Sequence, residues 1–267
     1  MIPMPEGLDK LADAIGDTLK TAPTLYEDAL QPTIQEAGKF VARIPRAINA
    51  AFSGLDKWIL NKEYTIDETK KLLEKKLENV DPDKIVEPEA YVAVPAIQAI
   101  SYSMNSEELR NLYANLLAKA MNSDTKNMVH PSFVEMIKQM SPTDALIFSH
   151  IITAPIRPLI TIKIASPNDG GERIFVENCS WIDTISLAKC RTSFDNLSRL
   201  GLIQVPFIES YTSKENYDIV KENPLFIHAD TECKNNLLED ESITYQENYI
   251  KINELSKLFY EICVKNP

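Results

Sequence analysis

Three helices in close succession are predicted within residues 105–152. The first has its apolar residues at the three-four spacing that places them on one helix face, namely Leu109, Leu112, Tyr113, Leu116, Leu117 and Ala120. Asn105 is in position to cap this helix, and Glu108 can reach back to the cap as in a capping box. The middle of the chain is therefore predicted to be a compact helical unit.

The two following helices have start signals of their own. His130 and Pro131 precede Ser132, which is predicted to form a second capping box with Glu135. Residues 141–144 read Ser-Pro-Thr-Asp, which supplies a cap, a proline at the first helical position and an acid near the positive end of the helix dipole. His130 is interpreted mainly as a structural junction, and acid–base chemistry is the alternative.

The order of these motifs resembles a known family. The stretches LRNLYANLLAKAM (109–121), HPSFVEMIKQMSPTDALIF (130–148) and SFDNLSRLGLI (193–203) are similar to the Abi-alpha family, which is associated with bacterial abortive infection of phage. The resemblance runs from Leu72 to Val264. It implies a bacterial, intracellular protein with a role in phage defence, and it supplies no catalytic residue.

Charge and composition limit the function classes. The chain has a net charge of −11, which argues against a broad nucleic-acid interface because such affinity comes largely from neutralised phosphates. A helical chain is consistent with only 7 glycines. An apolar run of about 18 residues, as a membrane crossing needs, is not found, so we expect no transmembrane segment and a cytoplasmic location.

An amphipathic helical stretch is predicted at residues 37–60. Its apolar stripe includes Phe40, Ile44, Ile48, Phe52 and Trp58. Lys39, Arg43 and Arg46 lie beside the stripe, so peripheral contact with an anionic membrane is one interpretation. Packing on the protein's own core or on a second subunit is the favoured one, because most amphipathic helices face a core.

The pattern changes after residue 152. Residues 156–164 are typical of a short strand or an extended connection, and residues 182–200 of a helix. Strands are predicted at 202–207 and 249–252, and Asn253 caps a last helix. The polar segment 209–248 is either a disordered insertion or a small lobe, whose obvious anchors are Leu225, Phe226 and Ile227.

The predicted fold is therefore mainly α, with a helical domain at 1–152 followed by a winged-helix-like α+β part at 153–267. In a winged helix, the 182–200 helix would contact DNA through Lys189, Arg191 and Arg199. Protein contact is the favoured interpretation of this part, because the acidic insertion beside it would repel a duplex.

Enzymatic motifs are missing from the sequence. No G-x-S-x-G or G-x-x-x-x-G-K-[ST] motif occurs, and Glu177, Asp183 and Asp195 form no recognisable nuclease cluster. The spacing of Cys179, Cys190, His228 and Cys233 matches no compact zinc site. We therefore expect no catalytic residue, metal or cofactor, and a component of abortive infection that binds a protein partner or itself, or acts as an effector. The alternatives are a DNA-binding regulator and a membrane-surface effector.

Overall fold

The computed structural model describes residues 43–51, 63–103, 105–167 and 170–267. The contacts distinguish two compact units, residues 1–46 and 47–267. Of the first unit, residues 43–46 are described, and they are helical. The second unit begins with helical residues 47–51, which bury Ala47, Ile48 and Ala51.

The helical part of the second unit is arranged around one buried helix. Its helices are α1 (Glu63–Leu77), α2 (Ala90–Tyr102), α3 (Glu107–Ala120), α4 (Ser132–Lys138) and α5 (Pro142–Thr153). Helix α3 contacts all four others. The apolar face that the three-four spacing predicts is largely buried on α3, from Leu112 to Ala120. Burial of one helix among four neighbours is how an amphipathic sequence removes its apolar face from water.

The predicted start of α3 was displaced by one residue. Helix α3 is capped by Ser106 and not by Asn105, since the backbone N–H of Leu109 donates to Ser106 Oγ at 3.3 Å. Glu108 accepts a hydrogen bond from the Ser106 hydroxyl at 3.0 Å, so the acid still supports the cap. A cap must stand immediately before the first helical residue, and here that residue is Glu107.

The other two helix starts differ in outcome. The predicted capping box of Ser132 and Glu135 is wrong, because Ser132 is itself the first residue of α4. The ring of His130 caps the helix in its place, with Nδ1 accepting the Ser132 backbone N–H at 3.1 Å. At α5 the prediction is confirmed, and both hydrogen bonds of the Ser141–Asp144 capping box are present.

A three-stranded antiparallel sheet follows the helices, with β1 (Pro158–Ala165) between β2 (Glu172–Cys179) and β3 (Ser242–Tyr249). The strand predicted near 156–164 is confirmed as β1. Helix α6 (Leu187–Arg199) follows the β1–β2 hairpin. The helix predicted at 182–200 is therefore confirmed only from Leu187, because residues 182–186 are not helical and Ser186 is the N-cap. No prediction was made for β2, whose residues are mostly exposed or half-buried and so lack a strong apolar pattern.

The 209–248 insertion is folded, so the disordered alternative is wrong. It contains α7 (Asp218–Lys221), α8 (Pro224–Asn235) and most of β3. Its buried side chains form a core with Ile160, Ile162 and Ile164 of β1, and they are Tyr217, Val220, Phe226, Ala229 and Cys233. Of the three predicted anchors, Phe226 is buried, Leu225 is half-buried and Ile227 is exposed, because only Phe226 points toward the sheet core.

The extent of pairing predicted between 202–207 and 249–252 was overestimated. These segments meet in a single antiparallel bridge between Gln204 and Lys251. The strand that pairs with β1 on this side of the sheet is β3. The fold class is confirmed as mainly α with an α+β part near the C-terminus. The winged-helix arrangement and the domain boundary at residue 152 stay predictions.

The C-terminal helix closes the core of the helical part. Helix α9 (Glu254–Phe259) continues into a π-helical turn, Tyr260–Val264. The centroid of the Phe259 ring lies 5.5 Å from the centroid of the Phe133 ring and 5.5 Å from that of the Phe148 ring, and both pairs are edge to face. This ring cluster therefore joins α9 to α4 and α5, as aromatic pairs of this geometry do.

We predict that Phe259→Ala lowers the free energy of unfolding by about 3–5 kcal/mol, because it removes a fully buried ring. Urea denaturation followed by circular dichroism measures this change. Phe207→Ala is the matched control, since Phe207 is 79% exposed and its truncation leaves no cavity. Equal losses in the two variants would contradict the proposed role of the ring cluster.

Candidate functional site

A cleft of about 530 Å³ lies over one face of the sheet. Strands β1, β2 and β3 form its floor, and α6 and residues 205–207 form its walls. The residues that line it are Thr161, Lys163, Glu172, Ile174, Glu177, Asn178, Phe194, Asp195, Ser198, Val205, Pro206, Phe207, Gln246 and Asn248. The volume is within the range of small-ligand and side-chain pockets.

The floor of the cleft is polar because apolar and polar residues alternate along β1. Its sequence Ile-Thr-Ile-Lys-Ile sends the isoleucines into the core under the insertion, and Thr161 and Lys163 line the cleft. Thr161 pairs with Gln246 of β3, which continues the polar face across the sheet. One strand therefore makes both the core of this region and the floor of the cleft.

An irregularity in β2 shapes one side of the cleft. Ile162 pairs with Val176 and Ile160 with Cys179, so Glu177 and Asn178 together oppose Thr161. This is a β-bulge, with Asn178 at φ 53°, in the left-handed region that asparagine tolerates better than most residues. The Asn178 backbone N–H donates to Thr161 Oγ1 at 3.1 Å, which fixes the bulge to the floor.

The charges of the cleft are mostly negative. Lys163 forms an ion pair with Glu172 at 3.2 Å, and the Thr244 hydroxyl donates to the same carboxylate at 3.1 Å. The hydrogen bond from Lys163 lowers the pKa of Glu172 below its ordinary value. Glu177 and Asp195 have no ion-pair partner within the part of the chain that the structure describes. The cleft therefore has two carboxylates without a direct ion pair among the described residues.

An apolar rim, Phe207 and Ile208, borders the cleft. The two residues are 79% and 91% exposed. Their backbone is held in place by β3, because the side-chain amide of Asn248 donates to Pro206 O at 2.8 Å and to Phe207 O at 3.1 Å. Gln246 Nε2 also donates to Phe207 O, at 3.1 Å. The rim is thus an exposed apolar surface on a fixed backbone.

The three residues predicted to contact DNA differ in their surroundings. Lys189, Arg191 and Arg199 are all exposed on α6. Arg199 donates to Gln139 Oε1 at 2.8 Å, and through Asn196 it belongs to a network that ends at the buried carboxylate of Asp144. These hydrogen bonds join α6 to the start of α5, so Arg199 has a structural role.

The two other cations do not share one face of α6. At 100° per residue, Lys189 and Arg191 point about 160° apart around the helix axis. Asp195 lies one turn from both Arg191 and Arg199, where its carboxylate reduces the local positive potential. Neither Lys189 nor Arg191 has an ion-pair partner among the described residues. Their contact with DNA stays a prediction.

The predicted membrane or partner face lies partly outside the described residues. Phe40, Phe52 and Trp58 belong to the segments that the structure does not describe. Ile44 is half-buried, and Ile48 is 1% exposed. In the described ranges, no helix has both the length and the apolar character to cross a membrane. Membrane contact by this stretch stays a prediction.

The four cysteines, Cys179, Cys190, Cys233 and Cys263, are buried free thiols. Burial raises the pKa of Cys179 to about 12 and the pKa of Cys190 to about 11, so both are protonated at neutral pH. His228 is exposed on α8, whereas Cys233 of the same helix faces the sheet. Among the described residues, no group of three or more metal-ligating side chains is assembled.

Comparison with known proteins assigns the chain to a family. The family profile described as Abortive infection alpha matches residues 61–263, which contain α1 to α9, the sheet and the insertion. The chain therefore belongs to the Abortive infection alpha family, and this membership associates it with abortive infection. No curated protein and no solved structure matches the chain.

Sequence analysis did not identify the cleft. Glu177 and Asp195 were considered only as members of a nuclease cluster, and Phe207 only as the end of a strand. One available signal was the alternation in residues 160–164, which indicates a strand with one polar face. Another was Phe207-Ile208 directly after Pro206, an apolar pair in a segment too irregular to bury it.

We predict that Arg199→Ala lowers the free energy of unfolding by about 1 kcal/mol, because it removes the hydrogen bond from α6 to Gln139 and the one that holds Asn196 in place within α6. Arg191→Ala on the same helix should change stability by less than about 0.5 kcal/mol. Urea denaturation of both variants measures the difference. If Arg191→Ala is the more destabilising of the two, Arg199 does not join these helices.

Proposed function

We propose that the protein acts in bacterial abortive infection by binding a protein partner at the cleft, with Phe207 and Ile208 as the apolar anchor. The observation that carries this proposal is the exposure of both side chains on a backbone fixed by Asn248 and Gln246. Exposed apolar patches mark interaction sites, and a few side chains supply most of the binding energy of a protein interface.

Charge favours a polypeptide over nucleic acid as the partner. The cleft beside the rim has the carboxylates of Glu177 and Asp195, which form no ion pair among the described residues and would repel phosphates. The net charge of −11 acts in the same direction over longer distances. A protein partner can instead place apolar groups on the rim and polar groups over the cleft floor.

A protein that acts through this surface belongs in the bacterial cytoplasm, where its partner is either a phage product or a host component of the same defence. Partner binding either triggers an effector step or is itself the effector step. Both alternatives need the rim to be accessible, so one set of variants tests both.

We predict that Phe207→Asp and Ile208→Asp each abolish defence, because a carboxylate on the rim must be desolvated when the partner binds. Efficiency of plating measures this, with a phage that the wild-type protein restricts. The backbone carbonyl of Phe207, which accepts the amide hydrogen bonds, is retained, so the melting temperature should not change.

Leu238→Asp is the matched control, since Leu238 is 69% exposed and lies outside the cleft. This variant should restrict phage as the wild-type protein does. If both rim variants restrict phage fully at wild-type protein levels, the rim is not the interaction surface. If all three variants lose defence, the effect of the rim is not specific, and the proposal fails as well.

A further inference from the structure

Two carboxylates reach the cleft from different elements. Glu177 is in the β-bulge of β2, and Asp195 is on α6, which forms a wall. Neither has an ion-pair or hydrogen-bond partner in the described ranges of the chain. Within the same cleft, Glu172 is by contrast paired with Lys163. The cleft therefore has two carboxylates with which no described side chain forms an ion pair.

The remaining lining of the cleft suits a long cation. The Ser198 hydroxyl and the side-chain amides of Asn178 and Gln246 offer hydrogen bonds at its walls and floor. Phe207 and the half-exposed Ile174 supply apolar surface at the same cleft. A side chain with an apolar stem and a charged end buries its stem on such a surface and directs the charge to the carboxylates.

We propose that the cleft binds an arginine or lysine side chain of the partner polypeptide, with its cationic group at Glu177 and Asp195 and its stem against Phe207. This inference rests on the proposed function and adds the chemistry by which the partner is recognised. A guanidinium forms paired hydrogen bonds with carboxylates and stacks on aromatic rings, so arginine is the better of the two occupants.

Other ligands fit the cleft less well. An anion would meet three carboxylates, and the one lysine in the lining is already paired with Glu172. A wholly apolar segment would leave Glu177 and Asp195 unpaired in a desolvated interface, which is costly. A basic side chain next to apolar residues is therefore the partner chemistry that matches both the cleft and the rim.

The test uses a blocked tripeptide with arginine between two leucines, and its counterpart with citrulline, the uncharged isostere of arginine. Each is titrated into the full-length, isotope-labelled protein, and the NMR signals of the Asn178 and Gln246 side-chain amides report binding in the cleft. The arginine peptide should give saturable shifts, and the citrulline peptide should bind about tenfold more weakly or not at all.

Two double variants separate a local from a general charge effect. Glu177→Gln with Asp195→Asn should weaken the arginine peptide about tenfold. Glu239→Gln with Asp240→Asn removes the same charge from an exposed turn outside the cleft and should leave the affinity unchanged. Equal affinity for the two peptides, no shift with either, or equal loss in both double variants would overturn the inference.

Phage challenge distinguishes this inference from the proposed function. If Phe207→Asp loses defence and the Glu177/Asp195 double variant keeps it, a partner binds the rim but places no basic side chain in the cleft. If Phe207→Asp keeps defence, the proposed function itself fails. Duplex DNA is titrated in parallel by gel shift at low salt, and specific binding that is lost in Arg191→Ala would overturn both in favour of a nucleic-acid partner.

Discussion

The α+β part of this protein depends on the alternation of apolar and polar residues along β1. Burial of Ile160, Ile162 and Ile164 under the insertion is the favourable term, since each buried aliphatic side chain contributes roughly 1.5–3 kcal/mol. The same pleat leaves Thr161 and Lys163 on the opposite face, next to Gln246 of β3. The core and the polar cleft floor are therefore two consequences of one strand sequence, and a change of register by one residue would exchange them.

The predictions from sequence were accurate for helices with contiguous apolar faces, although the Asn105 cap and the Ser132–Glu135 capping box were wrong. The three helices within 105–152 have contiguous apolar faces and start signals, and the structure contains all three. The folding of the insertion was left open, because α7 has only 4 residues and α8 has no long apolar face. Phe226 was named as an anchor, but its burial depends on β1, which lies far away in sequence, so the sequence did not decide between a folded lobe and disorder.

The cleft was hidden from sequence analysis for a related reason. Glu177 reaches it only because the β-bulge places Glu177 and Asn178 opposite Thr161, and Asp195 comes from a helix beyond the hairpin. By contrast, Arg199 was chosen as a DNA contact because it is exposed and basic. Its hydrogen bond to Gln139 is a tertiary contact that residue type alone does not reveal. The contact of Arg199 with DNA stays a prediction, as it does for Lys189 and Arg191.

The central claim is that defence depends on the cleft and its rim and not on the basic residues of α6. A saturation mutational scan of residues 153–267, scored by survival of bacteria under phage challenge, tests it most directly. The account predicts that, outside the buried core, intolerance to substitution is concentrated at Glu177, Asp195, Phe207 and Ile208. Tolerance at those four positions, together with intolerance at Lys189 and Arg191, would contradict it.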